Sequence, residues 1–149
     1  MNGGLFYCVP PMPYDEIKEQ IKLDEGLSLK PYRCTSGKLS IGYGWNLDDN
    51  GIPIRIADEL FEYAFSMALN GAAMFIGPIA WSQLSEARRG VLINMSYNLG
   101  NRGLNGFVRF RSYLQQGDYD KAANEMIDST WYRQVGIRAQ RLVDDMRNG

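Results

Sequence analysis

The sequence predicts an α+β fold, with a small sheet-bearing lobe first and a larger helical lobe after it. Two observations predict it. Residues 29–47 read as a small sheet, and within them Leu39, Ile41 and Tyr43 alternate with Ser40, Gly42 and Gly44. The segments on either side instead repeat apolar residues at three and four, as helices do. A chain of 149 residues suits one compact domain, or one domain with two lobes.

Residues 1–13 read as an irregular extension, because Pro10, Pro11 and Pro13 fix φ and withhold donors. A helix is expected from Tyr14 to Asp24, with Tyr14, Ile17 and Ile21 in phase and Asp15 and Glu16 in the first turn, where negative charge is favoured. Gly26 is its stop, so Glu25 falls at the helix end or just beyond it. Thr35-Ser36-Gly37 reads as a turn within the sheet, and Asp48-Asp49-Asn50-Gly51 as a turn or loop after it. A connecting helix is expected over 53–70, its Phe61, Phe65 and Leu69 giving it core on more than one side; Gly71, Gly77 and Pro78 should break it.

Ser82 or Ser85 then caps a helix that reaches about Leu99 and is ended by Gly100, Gly103 and Gly106. Phe107, Phe110 and Leu114 begin another. Asp118 caps Tyr119 to Ile127. Trp131 and Tyr132 are expected in a connector, and Arg138 to Arg147 in the last helix. The organisation read from this is an extension over 1–13 and a single domain over 14–149, made of a small lobe (14–50), the helix at 53–70 and a helical lobe (71–149).

Composition narrows the function. Sixteen basic against seventeen acidic residues give a net charge of -1, which argues against a general nucleic-acid binder. The absence of His removes His-based metal sites, Ser–His–Asp triads and Cys–His dyads together. Two cysteines, Cys8 and Cys34, make no C-x-x-C motif or zinc cluster and are expected as reduced thiols. With no stretch of eighteen apolar residues and no basic n-region, neither a membrane span nor a signal peptide is expected.

Four segments can carry chemistry: Asp24-Glu25-Gly26-Leu27, Cys34, Ser40-Ile41-Gly42-Tyr43-Gly44, and Asn98-Leu99-Gly100 with Gly106-Phe107. Cleaving a glycoside needs a proton delivered to a poor leaving group, and a carboxyl at a helix end is placed where the neutral form is favoured. These segments, in the strings D-E-G-L-x-L-K-P-Y (24–32), S-I-G-Y-G (40–44), L-I-N-M-S-Y-N-L-G-N-R-G (92–103) and W-Y-x-Q-V-G-x-R-x-x-R (131–141), resemble the family of lysozymes typified by that of bacteriophage T4, glycoside hydrolase family 24. The resemblance runs from about Tyr14 to Met146.

The resemblance implies a lysozyme-like fold with a groove between the lobes. It implies an endolysin muramidase, a bacteriolytic glycoside hydrolase that cuts the β-1,4 bond between N-acetylmuramic acid and N-acetylglucosamine without a cofactor or metal. The family's Glu, Asp and Thr, with eight and five residues between them, fall on Glu25, Cys34 and Ser40. Glu25 would be the general acid. Cys34, in the place of the base, is open to three readings: base, nucleophile or bystander. Ser40 would hold the attacking water. Arg138 matches the cleft arginine that pairs with the catalytic Glu; Tyr97, Asn98 and Phe107 fall where the family lines its cleft or packs beneath it, Asn98 toward an acetamido group and Phe107 as core. Trp45 replaces a frequent His, and either lines the cleft or caps the small core, while Asn46 can meet a sugar. Asp24, Asp48 and Asp49 are fallback carboxylates.

Two other readings stand beside this one, a lytic transglycosylase giving 1,6-anhydro products and a non-catalytic peptidoglycan-binding protein of the same fold. The expected partner is bacterial peptidoglycan, with no nucleic acid, no stable membrane insertion and a monomeric chain. The protein is expected to be made in the host cytoplasm and to reach the wall by holin-type release.

Overall fold

A computed structural model of the chain describes residues 14–149. The segment 1–13, and Cys8 with it, lies outside the described residues. The chain divides at Ile56 into two compact units, the second being Ala57–Gly149.

Among the described residues, the first unit holds one helix, one sheet and one further helical turn. Helix α1 spans Asp15–Glu25, so Glu25 is its last residue. Gly26 ends it at φ 70°, a conformation that costs a Cβ-free residue little, and its N–H closes the last turn on the Lys22 carbonyl. Strands β1 (Ser28–Arg33), β2 (Leu39–Gly42) and β3 (Trp45–Asn46) form an antiparallel sheet in that order. Ser40 stands opposite Tyr32 on β1 and Asn46 on β3, and Ile41 opposite Trp45. Because β2 is the middle strand, Ser40 is the one residue of the sheet that is fully buried, at 3% exposure. The expected turn after β3 is a single helical turn, α2 (Leu47–Asn50), capped by the Asn46 side chain on the Asp49 N–H.

The second unit is helical. Helix α3 (Ile54–Ile76) begins just before the division and is followed by α4 (Pro78–Gln83), α5 (Glu86–Asn105), α6 (Val108–Gln116), α7 (Tyr119–Ile127), α8 (Thr130–Val135) and α9 (Ile137–Asn148). Its core is apolar and continuous: Val91, Leu92 and Met95 of α5, Phe110 and Leu114 of α6, Ala122, Ala123 and Met126 of α7, and Ala139, Leu142, Val143 and Met146 of α9 all fall below 4% exposure. The α9 end is held by Arg88, which donates to the carbonyls of Met146 and Arg147 while its guanidinium lies 3.8 Å over the Tyr119 ring.

The elements depart from the sequence pattern in five places. Gly71 does not break α3; it lies buried within it, where a Cβ would come within 1.9 Å of the Asn101 side chain, so close packing is what selects glycine. The break falls at Gly77 (φ 83°), and Pro78 starts α4, a helix the pattern did not show. Gly100 breaks the regular helix as expected (φ 68°, ψ 167°), but a further helical stretch follows the kink to Asn105, with Gly103 inside it. Trp131 sits in α8 rather than a connector, capped by Ser129, and is buried. Phe61 and Phe65 do not bury: α3 contributes to the core only from Ala68 onward, through Ala68, Gly71, Ala72, Phe75 and Ile76. Phe107 is partly buried and packs against the core, meeting the Phe110 ring edge-on.

Candidate active site

Glu25 closes α1 and reaches the turn between β2 and β3. A Cβ built on Gly44 would stand 3.1 Å from the Glu25 Oε2 atom, so the bare Gly44 backbone makes the floor under the carboxyl. Gly44 has φ 79°, a second reason for glycine there. One helical turn earlier, the Lys22 ammonium sits 6.0 Å from the Tyr43 ring centroid and pairs with Glu19 at 2.6 Å. The end of α1 is thus laid along Tyr43 and Gly44. Glu25 is exposed.

Cys34 and Ser40 come together. Cys34 opens the turn between β1 and β2, its N–H on the Lys38 carbonyl (2.9 Å) and its carbonyl on the Gly37 N–H (2.8 Å). Its sulfur shares a 3.0 Å hydrogen bond with the Ser36 hydroxyl. That bond, then the Ser36 N–H, the Lys38 N–H and the buried Ser40 hydroxyl, hold the thiol below its ordinary range against the opposing effect of desolvation. Cys34 is half-buried and forms no disulfide among the described residues.

The fallback carboxylates are all bound into the scaffold. Asp24 accepts from the Gln20 amide at 2.8 Å. Asp48 accepts from the Leu39 N–H at 2.8 Å, tying α2 to β2. Asp49 is engaged by the Lys38 ammonium (2.7 Å) and the Asn46 amide (2.8 Å). Lys38 holds the Asp49 carboxyl below the usual range.

Two residues expected to meet sugar have structural work within the first unit. Asn46 caps α2 with one side-chain atom and bonds Asp49 with the other. Trp45 donates its indole N–H to the Gly51 carbonyl at 2.7 Å and lines an apolar hollow of about 270 Å³ with Ile41, Ile52, Pro53 and Ile56.

In the second unit, Tyr97 and Arg138 line one open pocket of about 730 Å³ together with Phe61, Trp81 and Glu86. The Tyr97 ring lies 5.8 Å from that of Phe61. Asn98 turns elsewhere: its Oδ1 accepts from the buried Trp131 indole at 3.0 Å, so that oxygen is committed to the fold. Among the described residues no group of three or more His, Cys, Asp or Glu is arranged to hold a metal, and no helix is long and apolar enough to cross a membrane.

A family model described as phage lysozyme matches residues 22–147, from the last turn of α1 almost to the end of α9. The chain belongs to the phage lysozyme family. Two curated relatives from Dictyostelium discoideum, probable T4-type lysozymes 2 and 1, are 25% and 26% identical to it over 89% of the chain and 94% of their own lengths. The pre-baseplate central spike protein Gp5 of Enterobacteria phage T4 is 26% identical over 87% of the chain, which spans only 27% of that much longer protein. Ser36 was legible in the sequence only as part of a turn, and Gly44 only as a member of the candidate segment 40–44. Nothing in the spacing pointed from Ser36 to the Cys34 sulfur.

Proposed function

We propose that this phage lysozyme family member is a muramidase, hydrolysing the β-1,4 bond between N-acetylmuramic acid and N-acetylglucosamine in peptidoglycan. The observation that carries the reading is the Glu25 carboxyl at the end of α1 against the bare Gly44 backbone, in one unit with the hydrogen-bonded Cys34 and Ser40. Glu25 gives its proton to the glycosidic oxygen as that bond breaks and the sugar becomes oxocarbenium-like. Water attacks the anomeric carbon and gives its proton to the Cys34 thiolate, which becomes the thiol, while the Ser40 hydroxyl orients the water. Proton exchange with solvent then returns both groups to their starting states. On this reading Tyr97 and Arg138, which line one pocket of the second unit, are glycan-binding residues. The wall is the partner and no cofactor takes part.

A second reading, a lytic transglycosylase, is favoured by one observation. Each of the three fallback carboxylates, Asp24, Asp48 and Asp49, already holds a hydrogen bond or ion pair within the first unit. An enzyme in which the substrate's own 6-hydroxyl attacks needs no second carboxylate. Mass spectrometry of digested peptidoglycan separates the two: the muramidase reading expects reducing ends, and 1,6-anhydro ends would replace it with the second. Intact glycan strands would remove both.

A further inference from the structure

The base position holds a thiol, and a thiol ionises far less readily than the carboxylate it replaces. A sulfur that accepts a proton from water needs a fixed direction and a donor to hold its negative charge. The turn between β1 and β2 supplies both. Two backbone bonds, Cys34 N–H to Lys38 and Gly37 N–H to Cys34, close the loop around the sulfur, and the Ser36 hydroxyl lies 3.0 Å from it.

Resting on the muramidase reading, we propose that Ser36 is a positioning residue for the hydrolysis: its hydroxyl orients the Cys34 sulfur toward the attacking water and donates a hydrogen bond to the thiolate that then takes the water's proton. Ser36 would act through the Cys34 sulfur, not on the sugar itself. When the sulfur is ionised, the hydroxyl is the donor; when the sulfur carries its proton, either atom can donate. The Ser36 contact is also the largest single influence drawing the thiol below its ordinary range.

The charged groups around the turn do not supply this effect as strongly. Lys38, whose charge is felt by the sulfur, is held by Asp49 of α2 at 2.7 Å. Asp48, also on α2, is bound to the Leu39 N–H, and the Arg33 guanidinium at the end of β1 is bound to the Gly37 carbonyl at 2.8 Å. Ser36 is exposed in a turn, so its replacement leaves the sheet intact.

The test is site-resolved alkylation of Cys34 by iodoacetamide across pH, read by mass spectrometry so that Cys8 does not interfere, alongside lysis kinetics of the same samples. Ser36→Ala is expected to move the Cys34 alkylation midpoint up by roughly one pH unit, the size of one hydrogen bond to a charged group in an exposed setting. It is expected to lower kcat at neutral pH roughly threefold to tenfold with KM unchanged, and Ser36→Thr, which keeps the hydroxyl, is expected to restore both. An unmoved midpoint overturns the proposal, as does a moved midpoint with unchanged kcat. In the latter case Cys34→Ala tells which part failed: unchanged lysis in that variant removes the base role of Cys34, and lost lysis removes only the contribution of Ser36.

Discussion

Replacing Gly44 by alanine separates the placement of the Glu25 carboxyl from the stability of the sheet beneath it. The new methyl group would stand 3.1 Å from Glu25 Oε2, so the carboxyl must retreat by a few tenths of an ångström. The retreat costs little energy, since a glutamate end is flexible. It matters for chemistry, because a misplacement of about 1 Å at a reacting group costs on the order of a hundredfold in rate. A few tenths then costs roughly threefold to tenfold in kcat. The backbone adds its own effect: φ 79° strains any residue with a Cβ, by about 1–3 kcal/mol. Gly42→Ala is the control. It has φ 67° and nothing within 4 Å of its Cβ, so it carries the strain without touching Glu25. Urea denaturation should find both variants destabilised by similar amounts. Turbidity loss of permeabilised Gram-negative cells, measured well below the denaturation range, should fall only for Gly44→Ala. Equal activity in the two variants would refute the idea that the Gly44 backbone seats the acid.

Three further outcomes follow from the same geometry. Asn98→Ala removes the partner of the buried Trp131 indole and should cost about 1–3 kcal/mol in urea denaturation, the penalty of a buried donor left unmade. Gly71→Ala drives a methyl group into Asn101 (1.9 Å) and the Ser96 hydroxyl (2.9 Å), and should lower stability by about 1–3 kcal/mol through overpacking. Asp118 is held below the usual carboxylate range by Lys121, through its ammonium and then its N–H. A depressed carboxylate stabilises the fold above its ordinary titration range and loses that contribution as pH falls through the depressed value. Asp118→Asn, which still caps α7, should therefore flatten the acid-side loss of stability below about pH 4, an effect that added salt reduces because the pair is exposed. An unchanged acid profile would count against it.

The elements with strong periodicity and caps were plain in the sequence. Asp118 announced α7, Gly26 the end of α1, and Leu142 and Met146 the inner face of α9, because each is a local signal with a local cause. What the pattern missed depends on partners distant in the chain. Gly71 looks like a breaker until Asn101 is seen packed against it. Trp131 looks like a loop residue until its indole is found on Asn98. Phe61 and Phe65 look like core because they are aromatic on a helix, yet α3 buries only its C-terminal half. The same division runs through the candidate site. Family spacing pointed to Glu25, Cys34 and Ser40, and strand register with the turn bonds put Cys34 and Ser40 side by side. That Asp48 and Asp49 are tied to Leu39 and Lys38 is a matter of register, and no linear motif records it.

The central claim is that one carboxyl delivers the proton that breaks the glycan. Glu25→Gln keeps the size of the side chain at the end of α1 and removes only its acidity. Purified wild type and variant, matched in helical content by circular dichroism, would be compared for turbidity loss of permeabilised Gram-negative cells. The account predicts a loss in rate on the order of a hundredfold to ten-thousandfold, the usual span of general acid catalysis. Lysis by Glu25→Gln within a few-fold of wild type would contradict it.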